Sequence, residues 1–319
     1  MRSDGAAHAP TPDVLVLGGG GVLGEAWMSA LLAGLEDLPH FDARQCAGFL
    51  GTSAGSIVAA SLVAGLPPGA RLGAAAERPA EAAGEVRPTL GRQLWSLAAD
   101  AGGAAVSPFV TRTLTSMSAG GALMRRVALD QVPEGRRSLA ALGAEVERIG
   151  TRWDGRLRIA VVDRRSGRRV ILGAAGAPAV PVGAAVQASC AIPGVFAPVR
   201  FRGREYVDGG AWSPTNMDAA EAGRGQRVLC LNPTGGFRPR IGSPIGVIGP
   251  VSRLAAGAEA LALQRRGARV TTVNPDERTL AVMGSNLMDP RRRTAVIGAG
   301  LAQGRRLAAR LAERTPAFA

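Results

Sequence analysis

Between Cys46 and Ala64 the chain reads as a short apolar run, the pentad Gly51-Thr52-Ser53-Ala54-Gly55, and a second apolar run. Few folds accommodate that order. Cys46-Ala47-Gly48-Phe49-Leu50 is long enough for a buried strand, and Ile57 to Ala64 is apolar nearly all round, as in a helix packed deep in an α/β layer. A serine at such a junction sits on a tight turn that pushes its hydroxyl out above the sheet edge. Gly51 and Gly55, two residues before and two after, are needed because strand and helix backbones crowd that turn. A helix starting at Ala54 also directs its positive N-terminal end at whatever forms on Ser53. In a chain with 44 glycines the pentad alone is a weak signal. Its place at a strand-to-helix junction gives it weight.

Upstream, Val14-Leu15-Val16-Leu17 is a second short buried strand, followed by Gly18-Gly19-Gly20-Gly21 and an apolar helix from about Val22 to Leu38, closed by Pro39. Strand, helix, strand, helix in this order predicts a mostly parallel sheet covered on both faces. Residues 67–150 break the pattern. Ala-rich helical pieces (74–83, 90–101, 108–117, 119–129 and 138–149) are interrupted by Gly, Pro and Ser. They predict a helical insertion, read either as a substrate cap or as plain crossover helices. Strands follow at Leu157–Val162 and Arg168–Leu172, a helix at Val182–Ser189, strands at Arg227–Leu231 and Ala268–Val273, and a long helix from Pro290 to Ala312. No repeat or linker divides the chain, so a tail over 1–12 and one domain over 13–319 are expected.

Composition narrows the class. Apolar residues make up 46% and aromatics only 4%, so the core is built from Ala, Val and Leu. The formal charge of +13 invites a nucleic-acid reading, but all 38 basic residues are arginine, which with the Ala and Gly excess marks a GC-rich coding bias; no nucleic-acid partner is expected. The surplus of arginine over acids is concentrated after Asn232, which would suit peripheral contact with an anionic membrane. No run approaches the roughly 18 uninterrupted apolar residues of a membrane span. The first twelve residues lack the basic, apolar and cleavage regions of a signal peptide. Cys46, Cys190 and Cys230 are widely spaced and odd in number, which predicts buried thiols with no metal site, in a cytoplasmic protein.

A nucleophilic serine needs a base and donors for an oxyanion. The chain has two histidines, His8 and His40, and both precede Ser53. The order serine, acid, histidine of ordinary α/β-hydrolases is therefore excluded by counting, and a carboxylate has to accept the proton. The best candidate is Asp208, in Glu205-Tyr206-Val207-Asp208-Gly209-Gly210, where a short strand delivers an acid to two glycines. An Asp-Gly turn closing a hairpin is the competing reading. An ordinary Asp, with a pKa near 3.9, is a weak base, so the role requires burial and a preorganised hydrogen bond from Ser53. Donors are expected from the loop Gly18 to Gly21 with Gly24, whose backbone N–H groups open on the same sheet edge. Gly19 to Gly24 also satisfies G-x-G-x-x-G. A dinucleotide site would want an acid ending the second strand, where Gly51-Thr52-Ser53 stands, and Gly-Lys-Ser/Thr is missing. A non-catalytic lipid- or nucleotide-binding scaffold is the alternative.

These clusters, in this order, resemble the patatin-like phospholipase family: a glycine-rich loop after the first strand, G-x-S-x-G on the second, and Asp-Gly-Gly late in the domain. The resemblance extends through Ala191-Ile192-Pro193-Gly194-Val195-Phe196-Ala197-Pro198 and covers about 14–66 and 181–216. It implies a three-layer α/β/α fold and a lipid acyl hydrolase that uses a Ser-Asp dyad and no cofactor. Ser53 would be the nucleophile, Asp208 the base, and Gly19, Gly20 and Gly21 the oxyanion loop. Leu23 stands where the family usually has Arg or Lys, and Trp27 where His is common. The lost basic residue tilts the expected substrate toward neutral or lysolipid esters.

Overall fold

A computed structural model describes residues 11–73, 121–237 and 248–314. Strand β1 (Val14–Leu17) leads into helix α1 (Gly21–Leu35), and β2 (Gly48–Thr52) into α2 (Ala54–Val63). Helices α3 (Gly121–Asp130) and α4 (Ala140–Arg148) precede β3 (Leu157–Asp163), β4 (Arg168–Leu172) and α5 (Val182–Ser189). The hairpin β5 (Val199–Phe201) and β6 (Arg204–Asp208) is followed by β7 (Arg227–Leu231), α6 (Ile248–Arg265), β8 (Arg269–Val273), α7 (Glu277–Met283) and α8 (Arg293–Arg314).

The strands form one sheet in which β8, β7, β1 and β2 pair in that order, β2, β6 and β4 all pair β3, and β5 pairs β6. β1, β2, β3, β7 and β8 run parallel, while β4, β5 and β6 are antiparallel to the strands they pair. The alternation of strand side chains makes two cores. Leu15, Leu17, Phe49 and Ile159 face a cluster with α1, α2 and α8, whereas Val14, Val16, Leu50, Val228 and Cys230 face Ala256 and Leu263 of α6. Helices therefore cover both faces, giving the three layers expected. Each fully buried Leu or Val contributes about 1.5–3 kcal/mol, so runs of four such residues suffice to define strands here.

The register on β3 positions the site. One flank of β3 is taken by β4, which pairs Ile159 to Asp163. On the other flank β2 pairs up to Thr52 opposite Ala160, and β6 takes over with Asp208 opposite Val161. β2 and β6 thus meet head to head along one edge of β3, and their last residues lie beside each other.

α1 ends at Leu35, a turn before the expected Leu38. α6 and α7 were not legible in the sequence. α6 begins with Ile248-Gly249-Pro250, which reads as a breaker, yet a proline in the first turn gives up no intrahelical bond. Of the expected insertion, 74–120 and its three helical pieces lie outside the described residues, as do residues 1–10 of the tail. α3 and α4 match the two remaining pieces. α4 buries Leu142 and Val146 in the main core and packs against α5, so it is a layer helix.

Candidate active site

Ser53 has φ 52 and ψ −123, a conformation outside the usual range of L-residues and one that costs on the order of 1–3 kcal/mol. The flanking glycines permit it. A Cβ on Gly51 would come within 2.5 Å of Ser56 Cα, and one on Gly55 would collide with the Leu17 carbonyl. Ser56 holds the turn from below, its N–H and Oγ donating to the Ser53 carbonyl at 2.8 and 2.6 Å. The Ser53 N–H donates to Ser189 Oγ (2.9 Å), which donates in turn to the Ala160 carbonyl (2.8 Å) at the β2–β6 junction. Ser189 gave no signal in the sequence, because it reads as one more small residue of an Ala-rich helix.

Asp208 ends β6 and enters a 3-10 turn over Gly209–Ala211. The Asp-Gly pair therefore does not close the hairpin, whose turn is at Arg202-Gly203. A Cβ on Gly209 would collide with the Ala160 carbonyl, so glycine is required for the chain to pass β3 there. The Asp208 carboxylate accepts from the Gly210 N–H at 2.7 Å, and the Ser53 side chain lies near enough to favour its charged form. Burial pushes its pKa up to about 7, and the Gly210 hydrogen bond and the nearby Ser53 hydroxyl only partly offset the rise. A carboxyl that ionises near neutrality can take and return a proton at working pH, which an exposed aspartate cannot.

The glycine loop packs against this pair. A Cβ on Gly19 would lie 3.4 Å from Ser53 Cβ, and one on Gly20 would press on Pro233 Cβ at 2.6 Å. Gly21, with φ 58, opens α1. The expected donor set is corrected in one position, because the Gly19 N–H is already committed to the Pro214 carbonyl at 2.8 Å. Gly19 gives close approach and no donor. Among the described residues no hydrogen bond engages the N–H of Gly20, Gly21 or Ala54. Gly24 lies against Pro233, and its N–H closes the first turn onto the Gly20 carbonyl.

Several surroundings bear on the alternatives. The Leu23 N–H donates to the Leu287 carbonyl at 3.0 Å, and Met288 Sδ would be 2.5 Å from a Cβ on Gly21. Leu287 and Met288 thus pack against the first turn of α1. Trp27 Nε1 donates to Gln303 Oε1 (2.9 Å), tying α1 to α8. His40 lies past the far end of the 15-residue α1, about 22 Å along the helix from the glycine loop. His8 falls outside the described residues. The three cysteines are buried and unbridged, and burial pushes the Cys46 thiol up to about 12 and Cys190 and Cys230 well above the ordinary range. Among the described residues no group of His, Cys, Asp and Glu could hold a metal ion, and no helix is long and apolar enough to cross a membrane.

Fold and site together define a three-layer α/β/α protein that displays a strained serine against a buried carboxyl at the carboxyl edge of its sheet. The sequence pattern of the patatin-like phospholipases matches residues 15–221, and the chain belongs to that family. Membership places it in the general class of lipid acyl hydrolases. No curated protein matches it. Among solved structures, VipD from Legionella pneumophila aligns with a TM-score of 0.39 at 14% identity, over 94% of this chain and 67% of VipD.

Proposed function

We propose that the protein is a serine esterase or lipase that hydrolyses lipid acyl esters through an acyl-enzyme on Ser53, with Asp208 as the base. The observation that carries this reading is the head-to-head meeting of β2 and β6 on β3, which brings a buried carboxyl of pKa about 7 beside Ser53. Ser53 Oγ attacks the ester carbonyl carbon while its proton passes to Asp208. The carbonyl oxygen, now an oxyanion, is stabilised by the N–H groups of Gly20, Gly21 and Ala54 and by the positive ends of α1 and α2. On collapse the C–O bond to the leaving alcohol breaks, and that alcohol takes the proton from Asp208. Water then gives a proton to Asp208 and attacks the acyl carbon; as the acyl–Oγ bond breaks, Asp208 returns that proton to Ser53 Oγ and the fatty acid is released. With Leu23 fully buried and uncharged beside the loop, neutral and lysolipid esters suit the site better than doubly charged headgroups.

The experiment is fluorophosphonate labelling with mapping of the adduct, run beside a panel of neutral, lyso- and diacyl-phospholipids. The reading requires an adduct on Ser53 and fatty acid release. A folded protein with neither would be the non-catalytic scaffold.

A specific surface extends the reading to peripheral membrane contact. α3 turns Arg125 inward, where Nε and Nη1 donate to the Ala211 and Gly167 carbonyls at 3.0 and 2.9 Å and the guanidinium stacks on Trp212. Its outer side exposes Leu123, Met124 and Val127, beside the turn bearing the exposed Arg165 and Arg168. That turn follows β3, on the same sheet edge as Ser53. Apolar side chains flanked by arginine suit an anionic lipid surface. Cosedimentation with phosphatidylglycerol vesicles tests it: replacing Leu123, Met124 and Val127 by Ser should abolish binding and leave hydrolysis of a soluble ester intact.

A further inference from the structure

Three separate pieces of the proposed machinery meet one short segment, Ser213–Met217. The Pro214 carbonyl accepts the Gly19 N–H at 2.8 Å and so holds the glycine loop. The Thr215 carbonyl accepts from Thr52 Oγ1 at 3.4 Å, and Asn216 Nδ2 donates to the same Oγ1 at 3.1 Å, one residue before Ser53. Asn216 Nδ2 also reaches the Gly209 carbonyl at 3.2 Å, one residue after Asp208. Asn216 itself is in the left-handed region (φ 51), and the Ser213 Oγ accepts the N–H groups of Thr215 and Asn216. A turn of this shape is not fixed by its own backbone bonds.

Besides the Asn216 Nδ2 bond to the Ser213 carbonyl (2.7 Å), it is held by a carboxylate of α6. Glu259 of α6 is 9% exposed, and its Oε2 accepts the Met217 N–H at 2.9 Å and the Thr215 hydroxyl. The Ser213 hydroxyl lies near the same carboxyl and favours its charged form. No cation pairs with it among the described residues. Burying a carboxylate without a cation is unfavourable unless it is hydrogen-bonded, and here both donors come from the segment that touches the glycine loop, Thr52 and Gly209.

We propose that Glu259 is a positioning residue: by gripping Thr215 and Met217 from α6 it sets the glycine loop, Ser53 and Asp208 in mutual register. The inference rests on the proposed reaction at Ser53. A misplacement of about 1 Å in such a constellation costs about 10²-fold in rate, and substrate binding by the acyl chain does not depend on it. The loss should therefore fall on kcat.

The test compares Glu259→Ala and Glu259→Gln in the full chain, each checked for folding by circular dichroism, with p-nitrophenyl butyrate as substrate. Glu259→Ala should lower kcat by about 10²-fold with KM nearly unchanged, and should slow fluorophosphonate labelling of Ser53 in parallel. Glu259→Gln keeps an acceptor oxygen for the Met217 N–H and should recover kcat to within about tenfold of wild type. If the alanine variant does not fold, Glu259→Gln with Thr215→Val carries the test, and Thr215→Val should lower kcat at constant KM. A folded Glu259→Ala protein with wild-type kcat would overturn the proposal, as would a loss expressed in KM alone or a Gln variant as damaged as Ala. Wild-type protein that neither turns over the ester nor labels at Ser53 would overturn the reaction itself. An active wild type with insensitive variants would sink only the role of Glu259.

Discussion

The turn of the proposed nucleophile Ser53 and the loop of the proposed base Asp208 solve the same problem, the placement of one side chain, in opposite ways. The nucleophile turn is local: Gly51, Ser53, Gly55 and Ser56 supply both the strained conformation and most of the bonds that hold it. The base loop is assembled from a distance. Asp208 is fixed by β3 alongside β6, by its own N–H donating to the Ala191 carbonyl (3.0 Å), and by a following segment that answers to Thr52 and Glu259. A local device tolerates change elsewhere in the chain. A distributed one transmits change from every element it leans on.

The largest effect should come from cutting the pair itself. Ser53→Ala and Asp208→Asn should each reduce kcat for a soluble ester by on the order of 10⁴-fold, and the double variant should lose little more, because the two act as a unit. Losses that multiply would separate the nucleophile from the base and break the comparison at its root.

The glycine loop sharpens it next. Gly20→Ala, whose Cβ meets Pro233 and displaces a free amide, should cost about 10²-fold in turnover. Gly19→Ala places its Cβ at an ordinary 3.4 Å from Ser53 Cβ, and its amide is committed to Pro214, so it should cost less than about tenfold. Equal losses in the two folded variants, read from kcat, would mean the donor assignment is wrong.

Protonation of Asp208 links site to stability. Its folded pKa of about 7 lies above its unfolded value, so between the two the folded state binds more protons. That stabilisation is complete below the unfolded pKa and is lost as pH rises through about 7, a change on the order of 4 kcal/mol by linkage. Asp208→Asn removes the buried charge. Urea midpoints should show it more stable than wild type at pH 8, with the gap closing toward pH 4. The acid limb of the wild-type rate profile should fall in the same window, since Asp208 must be ionised to take the proton.

The smallest effect is the most selective. His40→Gln should leave kcat within about twofold of wild type and should leave the acid limb unmoved, since about 22 Å of α1 separates it from the glycine loop. A folded variant that lost the limb would replace Asp208 as base.

The local device was readable and the distributed one was not, and the reason is the range of the interactions. Ser53, its two glycines and the strands and helices around them follow from residue type and spacing within about ten positions, because backbone crowding and burial periodicity act over that range. The absence of any histidine after Ser53 is likewise a property of the sequence alone, and it sufficed to turn attention to a carboxylate. What the sequence left open was settled by register. Asp208 is a base candidate and not a hairpin turn because β6 ends opposite Val161, one residue beyond where β2 ends opposite Ala160. Gly19 loses its donor role because a carbonyl nearly two hundred positions away takes its amide. Ser189, Asn216 and Glu259 carry no local mark. A buried hydrogen bond is chosen by which groups burial leaves without water, and only the packed sheet and its two helical layers decide that.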